Sequence, residues 1–245
     1  MKNNFYINLS IIFIFTTISF AQDNIVEEVI VTATKSEKTL QEVPVAVSVV
    51  TADVIEKATI IDTFDLKSVI PSLDTRQYQS STNATFFIRG FGNGSNNPGV
   101  EPSVALFVDG VYRSKTQSQI ADLPMLERVE VLRGPQSTLF GKNASAGVIN
   151  IVTKKPSFDK SGMMSLGVGK YNSKIGKIYS TGPMNETTAY SFSANFNKRD
   201  GSSDNPVTGN SVNNRDRLGV RAELLFIPND DLSIRVTADY DEYDE

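Results

Sequence analysis

The 245 residues carry 24 Lys and Arg against 28 Asp and Glu, with no Cys and no His. Without Cys there is no disulfide staple, and without His the usual zinc ligand sets and every Ser-His or Cys-His nucleophile arrangement are excluded. The net charge of −4 argues against nucleic acid as a partner, and we read neither a metal site nor a cofactor site in the chain.

Lys2 opens a short polar region, an apolar stretch runs from Ile7 to Phe20, and Ser19-Phe20-Ala21 supplies the small residues of a cleavage site. A membrane-spanning helix needs about 20 apolar residues; this stretch is shorter and is interrupted by Asn8 and Ser10. Residues 1–21 are therefore expected to be an export signal, and losing Lys2 with it shifts the net charge from −4 to −5. No later segment is as hydrophobic, so any further membrane residence must come from β structure.

Residues 22–42 read as a tail and linker. Within them Ile25 to Lys35, IVEEVIVTATK, is β-prone, contains no turn residue and lies near a free end. Such a segment is suited to adding as a strand to the sheet edge of another chain.

Residues 43–156 mix α and β signals. Val45 to Val50 reads as a strand, and Thr51 and Asp62 read as N-caps of two short helices, Ala52 to Ala58 and Thr63 to Ile70, the second stopped by Pro71. Later strands are expected at Phe86 to Arg89, Ala105 to Val108, Val129 to Leu132 and Val148 to Val152, with Gly90, Gly92, Gly94, Gly99 and Gly110 forcing turns between them. About 115 residues of this kind make a compact domain with its own core.

After Pro156 the period changes to two. Tyr190, Phe192, Ala194 and Phe196 alternate with small or polar residues; Leu218, Val220, Ala222, Leu224 and Phe226 do the same, as do Leu232, Ile234, Val236, Ala238 and Tyr240. Two weaker strands, Met163 to Gly169 and Lys174 to Thr181, precede them. Segments of about ten residues with one apolar and one hydrophilic face are the signature of transmembrane β-barrel strands, whereas strands of a soluble sandwich average nearer five or six. Gly182 to Glu186 and Pro228 to Asp231 are short connections and Lys198 to Asp216 a long polar one. Outer-membrane barrels place short turns inside and long loops outside, so residues 157–245 read as antiparallel barrel strands, the first running outward.

Two enzymatic motifs fail on inspection. Gly134 and Gly141-Lys142 imitate a phosphate-binding loop, but six residues separate them where four are needed, and Asn143 stands where a magnesium-binding hydroxyl belongs. Ser157-Phe158-Asp159-Lys160 and Ser203-Asp204-Asn205 match two motifs of penicillin-binding enzymes, yet the chain contains no Lys-Thr-Gly. We therefore expect no enzyme.

The segments in which these glycines sit resemble those of the TonB-dependent outer-membrane receptors. EEVIVTATK resembles the TonB box, and the resemblance implies that Glu28, Val29, Ile30, Val31, Thr32 and Ala33 bind TonB. FFIRGFG (86–92), ALFVDGVY (105–112) and ERVEVLRGPQSTLFGKNASAGVINIVTKKP (127–156) resemble the family's plug segments. They contribute Arg89, Gly90, Asp109, Gly110, Arg133, Gly134, Pro135, Gly141 and Gly147 as its structural motif. Ala146-Gly147 stands where many members have Gly-Gly.

The resemblance implies an α+β plug within a barrel of about 22 strands, in the outer membrane of a Gram-negative bacterium, with plug and N-terminus toward the periplasm. It implies import of a scarce nutrient, a siderophore-iron, cobalamin or glycan ligand, energised through TonB by the inner-membrane proton-driven complex. The glycines would let the plug chain turn tightly and pack backbone against backbone. Arg89 and Arg133 are expected to reach inward-facing carboxylates of the wall, with Glu223 one candidate, and Asp109 to form a turn rather than bind ligand. With only three residues between the predicted cleavage point and Ile25, no signalling domain is expected before the box.

A plug of this size has a radius of gyration near 13 Å and a girdle of about 110 Å. Each tilted strand covers roughly 6 Å, so about 17 or more are needed to surround it and five cannot. The sequence thus reads as a truncated barrel. An exported binding or adhesion protein that uses its β region only as a surface is the alternative.

Overall fold

The computed structural model describes residues 30–32, 38–77, 83–93, 99–115 and 125–244. The expected export signal, Glu28, Val29, Ala33 and Gly94 lie outside the described residues.

The first half builds a sheet buried on both faces. Short strands β1 (Ile30–Val31) and β2 (Lys38–Thr39) pair antiparallel and lead through a 3-10 turn, Leu40–Glu42, to β3 (Val47–Thr51) and helix α1 (Ala52–Lys57). There follow β4 (Leu73–Gln77), β5 (Ala84–Ile88), β6 (Val104–Val108), β7 (Val111–Tyr112), β8 (Leu126–Arg133), α2 (Ser137–Phe140) and β9 (Gly147–Thr153). The main sheet runs β3-β8-β9-β6-β7, in which only β6 and β9 pair parallel, and β4 and β5 form a separate pair.

Burial on both sides explains why β9 reads as an almost unbroken apolar run rather than an alternating one. Val129, Val131, Ile149 and Ile151 pack on one face with Leu66, Ile70 and Ile88. Leu132, Val148, Ala105 and Phe107 pack on the other with Val31, Val43 and Ala144.

Local chemistry sets the helices. Thr51 precedes α1 in an extended conformation, Asp53 and Lys57 complement its two ends, and Ile55 turns inward. The second expected helix shortens to a 3-10 turn, Asp65–Ser68. The reason is side-chain competition: Asp62 Oδ1 accepts the Phe64 amide at 2.9 Å, and Asp65 Oδ2 accepts that of Ile61 at 3.0 Å. Strand β4 and helix α2 were not expected. Gly141, at φ 85°, ends α2 by donating its amide to Ser137 O at 3.0 Å.

The second half is an antiparallel meander of β10 (Ser161–Gly169), β11 (Ser173–Pro183), β12 (Thr188–Arg199), β15 (Arg215–Asn229) and β16 (Leu232–Tyr243). A small ribbon, β13 (Ser203–Asp204) and β14 (Ser211–Val212), lies in the long β12–β15 connection. The five strands have 9 to 15 residues, enough to cross a hydrocarbon layer at a tilt. No helix among the described residues is long and apolar enough to cross a membrane.

Burial in this wall is inverted relative to a soluble sheet. Along β15, Arg217 and Glu223 are each only 3% exposed, whereas Leu224 is 45% exposed; Val236 of β16 is 59% exposed. The polar face packs toward the first half and the apolar face is left outside. Water around that face would be unfavourable; lipid makes the pattern stable. This is a plug domain with part of an antiparallel barrel wall around it.

Candidate functional site

Two tight turns carry the first predicted motif residues. Asp109 and Gly110, at φ 48° and 82°, join β6 to β7, and Arg89 and Gly90, at φ 54° and 80°, reverse the chain between Ile88 and Phe91. Two successive positive φ values are what a two-residue hairpin requires, and Asp tolerates them better than most residues.

Asp109 does more than turn. Its Oδ1 accepts the Thr153 amide at 2.9 Å and its Oδ2 the Thr153 hydroxyl at 2.8 Å, tying the β6–β7 turn to the end of β9. The same Oδ2 meets guanidinium groups from the wall: Arg221 of β15 pairs with it, and Arg235 of β16 lies at 3.3 Å. Arg235 also grips Glu223 at 2.8 Å and donates to Thr153 Oγ1 at 2.8 Å, while Arg221 pairs with Glu223 from the other side. At the margin Asp239 meets Arg113 at 3.3 Å and Arg221 at 3.6 Å. Three cations thus face three anions in a poorly hydrated seam, where each charge is satisfied by the others.

A second clasp lies along β15. Asp62, fully buried, receives Arg217 at 3.0 Å and Arg215 at 3.3 Å, and the Arg217 guanidinium sits 5.4 Å from the Tyr243 ring centre. In both clasps a plug acid, Asp109 or Asp62, meets wall arginines, the reverse of the expected arrangement, whereas Arg113 with Asp239 at the margin keeps the expected sense through a different arginine. Glu223 binds its own wall's Arg221 and Arg235, because the odd-numbered side chains of β15 and β16 converge on it before the plug does. Arg89 is exposed at its turn; Arg133 is half-buried with Nε buried and unpaired, and neither forms an ion pair among the described residues. Asp109, expected to be a turn-former, forms the turn and also anchors the lock.

The remaining motif residues shape the β8–β9 connection. Gly134 donates its amide to Ala146 O at 3.2 Å, and Pro135 follows on the surface. At Gly147 a Cβ would stand 2.5 Å from Leu132 O and 2.6 Å from Ile88 Cδ1, so the strand passes there only as glycine.

Of the six expected TonB-binding residues, Ile30, Val31 and Thr32 are described; Ile30 and Val31 pair with Thr39 and Lys38, and Val31 and Thr32 pack against the plug sheet. Val31 is fully buried beside Leu132 and Val148. The Thr32 amide donates to Glu130 Oε1 at 2.9 Å and its hydroxyl to the same atom at 3.2 Å. Glu130 is itself fully buried, held by Arg128 Nε at 2.7 Å and Asn150 Nδ2 at 3.1 Å. Sequence reasoning took Asp62 only as a helix N-cap and did not single out Thr153, Arg217, Arg221, Arg235, Glu130 or Asn150. A signal existed for several: Glu130 and Asn150 each interrupt an apolar run in a strand buried on both sides, and the arginines share one face of alternating strands.

The TonB-dependent Receptor Plug Domain family model matches residues 39–148. The pesticin receptor of Yersinia pestis is 33% identical over 197 residues, 80% of this chain and 28% of that protein. The vitamin B12 transporter BtuB of Vibrio vulnificus is 31% identical over 148 residues, 58% of this chain and 23% of that one. Among solved structures, the ferric yersiniabactin uptake receptor FyuA of Yersinia pestis matches with a TM-score of 0.71 at 30% identity, over 76% of this chain and 29% of that one. The pyoverdine outer membrane receptor FpvA of Pseudomonas aeruginosa shares the fold, with a TM-score of 0.71 at 23% identity over 86% of this chain and 29% of that one. The chain spans less than a third of the length of each of these relatives. With this plug domain, the wall strands clasped to it and these relatives, the chain belongs to the TonB-dependent receptors.

Proposed function

We propose that the protein is an importer of the outer membrane of a Gram-negative bacterium, taking up a scarce nutrient through a plugged β-barrel. The observation that carries this reading is the inverted wall: an apolar outer face suited to lipid, and a charged inner face wrapped on a folded plug. A plug that must move needs an external source of work. Residues Glu28 to Ala33 would supply the attachment point, adding as a strand to TonB, which is driven by the inner-membrane proton-driven complex. Plug and N-terminus would then face the periplasm.

The ligand class rests on relatives. Those named above are receptors or transporters for ferric yersiniabactin, pyoverdine, vitamin B12 and pesticin, which favours an iron–siderophore or cobalamin over an oligosaccharide. None of them is an adhesin, and the adhesion alternative has no observation in its favour.

The test is Ile30→Pro. Proline deletes a ladder donor, so uptake of a radiolabelled ferric siderophore or cobalamin should be lost while surface expression and ligand binding persist. Normal uptake by that variant contradicts the proposal.

A further inference from the structure

We propose that the cavity between helix α1 and the inner face of β10 and β11 is a binding site for a single-chain fatty acid, an alkyl tail ending in a carboxylate. Its volume is about 300 Å³, at the lower end of the range of small-molecule sites. The plug lines it with Ile55 of α1, Ile60 and Leu126, and the wall with Met163 and Ile175. The space exists because β10 presents the small Ser165 and Gly167 toward the plug, opposite Lys177 and Ile175 of β11. Packed protein leaves few voids larger than a water molecule, so a space of this size is not ordinary packing. Apolar walls offer water few hydrogen-bond partners, and the occupant they suit is a hydrocarbon chain.

The polar groups around these walls select the head of that guest. Lys154 and Lys177 bring two ammonium groups to the cavity and Glu56 one carboxylate, an excess of positive charge that suits an anion. Lys154 is held through its backbone, whose amide donates to Met125 O at 2.9 Å, and Met125 lines the same cavity. A carboxylate beside Lys154 and Lys177 gains charge-assisted hydrogen bonds, while a cationic head meets two like charges. The position gives the guest a mechanical consequence. The clasps at Asp109 and Asp62 draw on β15 and β16. A fatty acid in the cavity ties α1 to β10 and β11, strands that those clasps do not use.

A decanoate carrying a photoreactive diazirine at the end of its tail tests the site in isolated outer membranes that contain the chain. Illumination followed by peptide mapping with mass spectrometry reads where the tail lies, and side-chain parity on β10 separates the outcomes. Met163 lines the cavity, whereas Met164 and Leu166 face outward and are 70% and 69% exposed. The site predicts adducts on α1, Met163 and Ile175 that unlabelled decanoate removes and decylamine leaves. Ser165→Leu, which fills the space from the wall, should remove them while adducts at Met164 and Leu166 persist. Lys154→Glu, at an exposed position, should also remove them, and it decides alone if Ser165→Leu does not reach the membrane. Adducts confined to Met164 and Leu166, equal competition by decanoate and decylamine, or unchanged adducts in Lys154→Glu overturn the proposal. Neither TonB nor uptake enters the measurement, so the site and the importer reading fail separately.

Discussion

Replacing Asp109 by Asn isolates the electrostatic part of the plug–wall lock. Asn tolerates the φ of 48° at this turn, and its side-chain oxygen can still accept the Thr153 amide. What disappears is the negative charge facing Arg221 and Arg235, leaving three cations against two anions. Breaking a buried ion pair by removing one partner costs about 3–5 kcal/mol. Here Glu223 continues to bind both arginines, so we place the loss at about 2 kcal/mol, one charge-assisted hydrogen bond. For a urea dependence of about 1–3 kcal/mol per molar, the unfolding midpoint of the purified protein in detergent should fall by about 1 M. Near-ultraviolet circular dichroism of the tyrosines can follow it. Asp109→Ala should fall further, by about another 1 kcal/mol, because alanine resists the left-handed turn. In a double-mutant cycle, Asp109→Asn and Arg235→Gln should be less than additive. An unshifted midpoint for Asp109→Asn, or equal midpoints for the Asn and Ala variants, would refute the lock.

Further outcomes are accessible with the same protein. Gly147→Ala should destabilise the plug by about 2 kcal/mol or more, because the added methyl meets backbone at Leu132; protease resistance of the plug would show it. Leu224→Arg, on the outer face of β15, should lose roughly 2–4 kcal/mol of insertion free energy and reduce the amount recovered from outer membranes. The Lys142 ammonium, 2.8 Å from Glu101, holds that carboxyl below its ordinary range. A depressed folded pKa gives stability that is present above the unfolded value and lost as pH falls through the folded one. Lys142→Gln should return the Glu101 titration, followed by NMR, toward the ordinary carboxylate range.

The architecture was legible where one physical demand acted on many residues at once. Period two from residue 188 onward reported a sheet between two different media, and the strands expected at Val129–Leu132 and Val148–Val152 lie within β8 and β9. Elements decided by a single side-chain interaction were not legible. The Thr63–Ile70 helix gave way to a 3-10 turn because Asp62 and Asp65 bind nearby amides. The lock was anticipated as a contact between plug and wall, yet its sign was reversed at Asp109 and Asp62 and kept at Arg113 with Asp239, since pairing partners more than 100 residues apart leave no local pattern. Arg221 reaches Asp109, and Arg217 reaches Asp62, across such distances. Glu130 and Asn150 were visible as polar residues out of place, but only the fold shows that Thr32 is what they hold.

The central claim is best tested by asking what medium each wall residue touches. Single cysteines at Phe192, Leu224 and Val236, and at Ser193, Glu223 and Thr237, would be given a fluorophore in outer-membrane vesicles and challenged with a quencher confined to the lipid tails. Strong quenching at the first three positions and little at the second three is the predicted result. Equal quenching in both sets, or quenching by a water-soluble agent at the first set, would contradict a wall that faces lipid outside and the plug within.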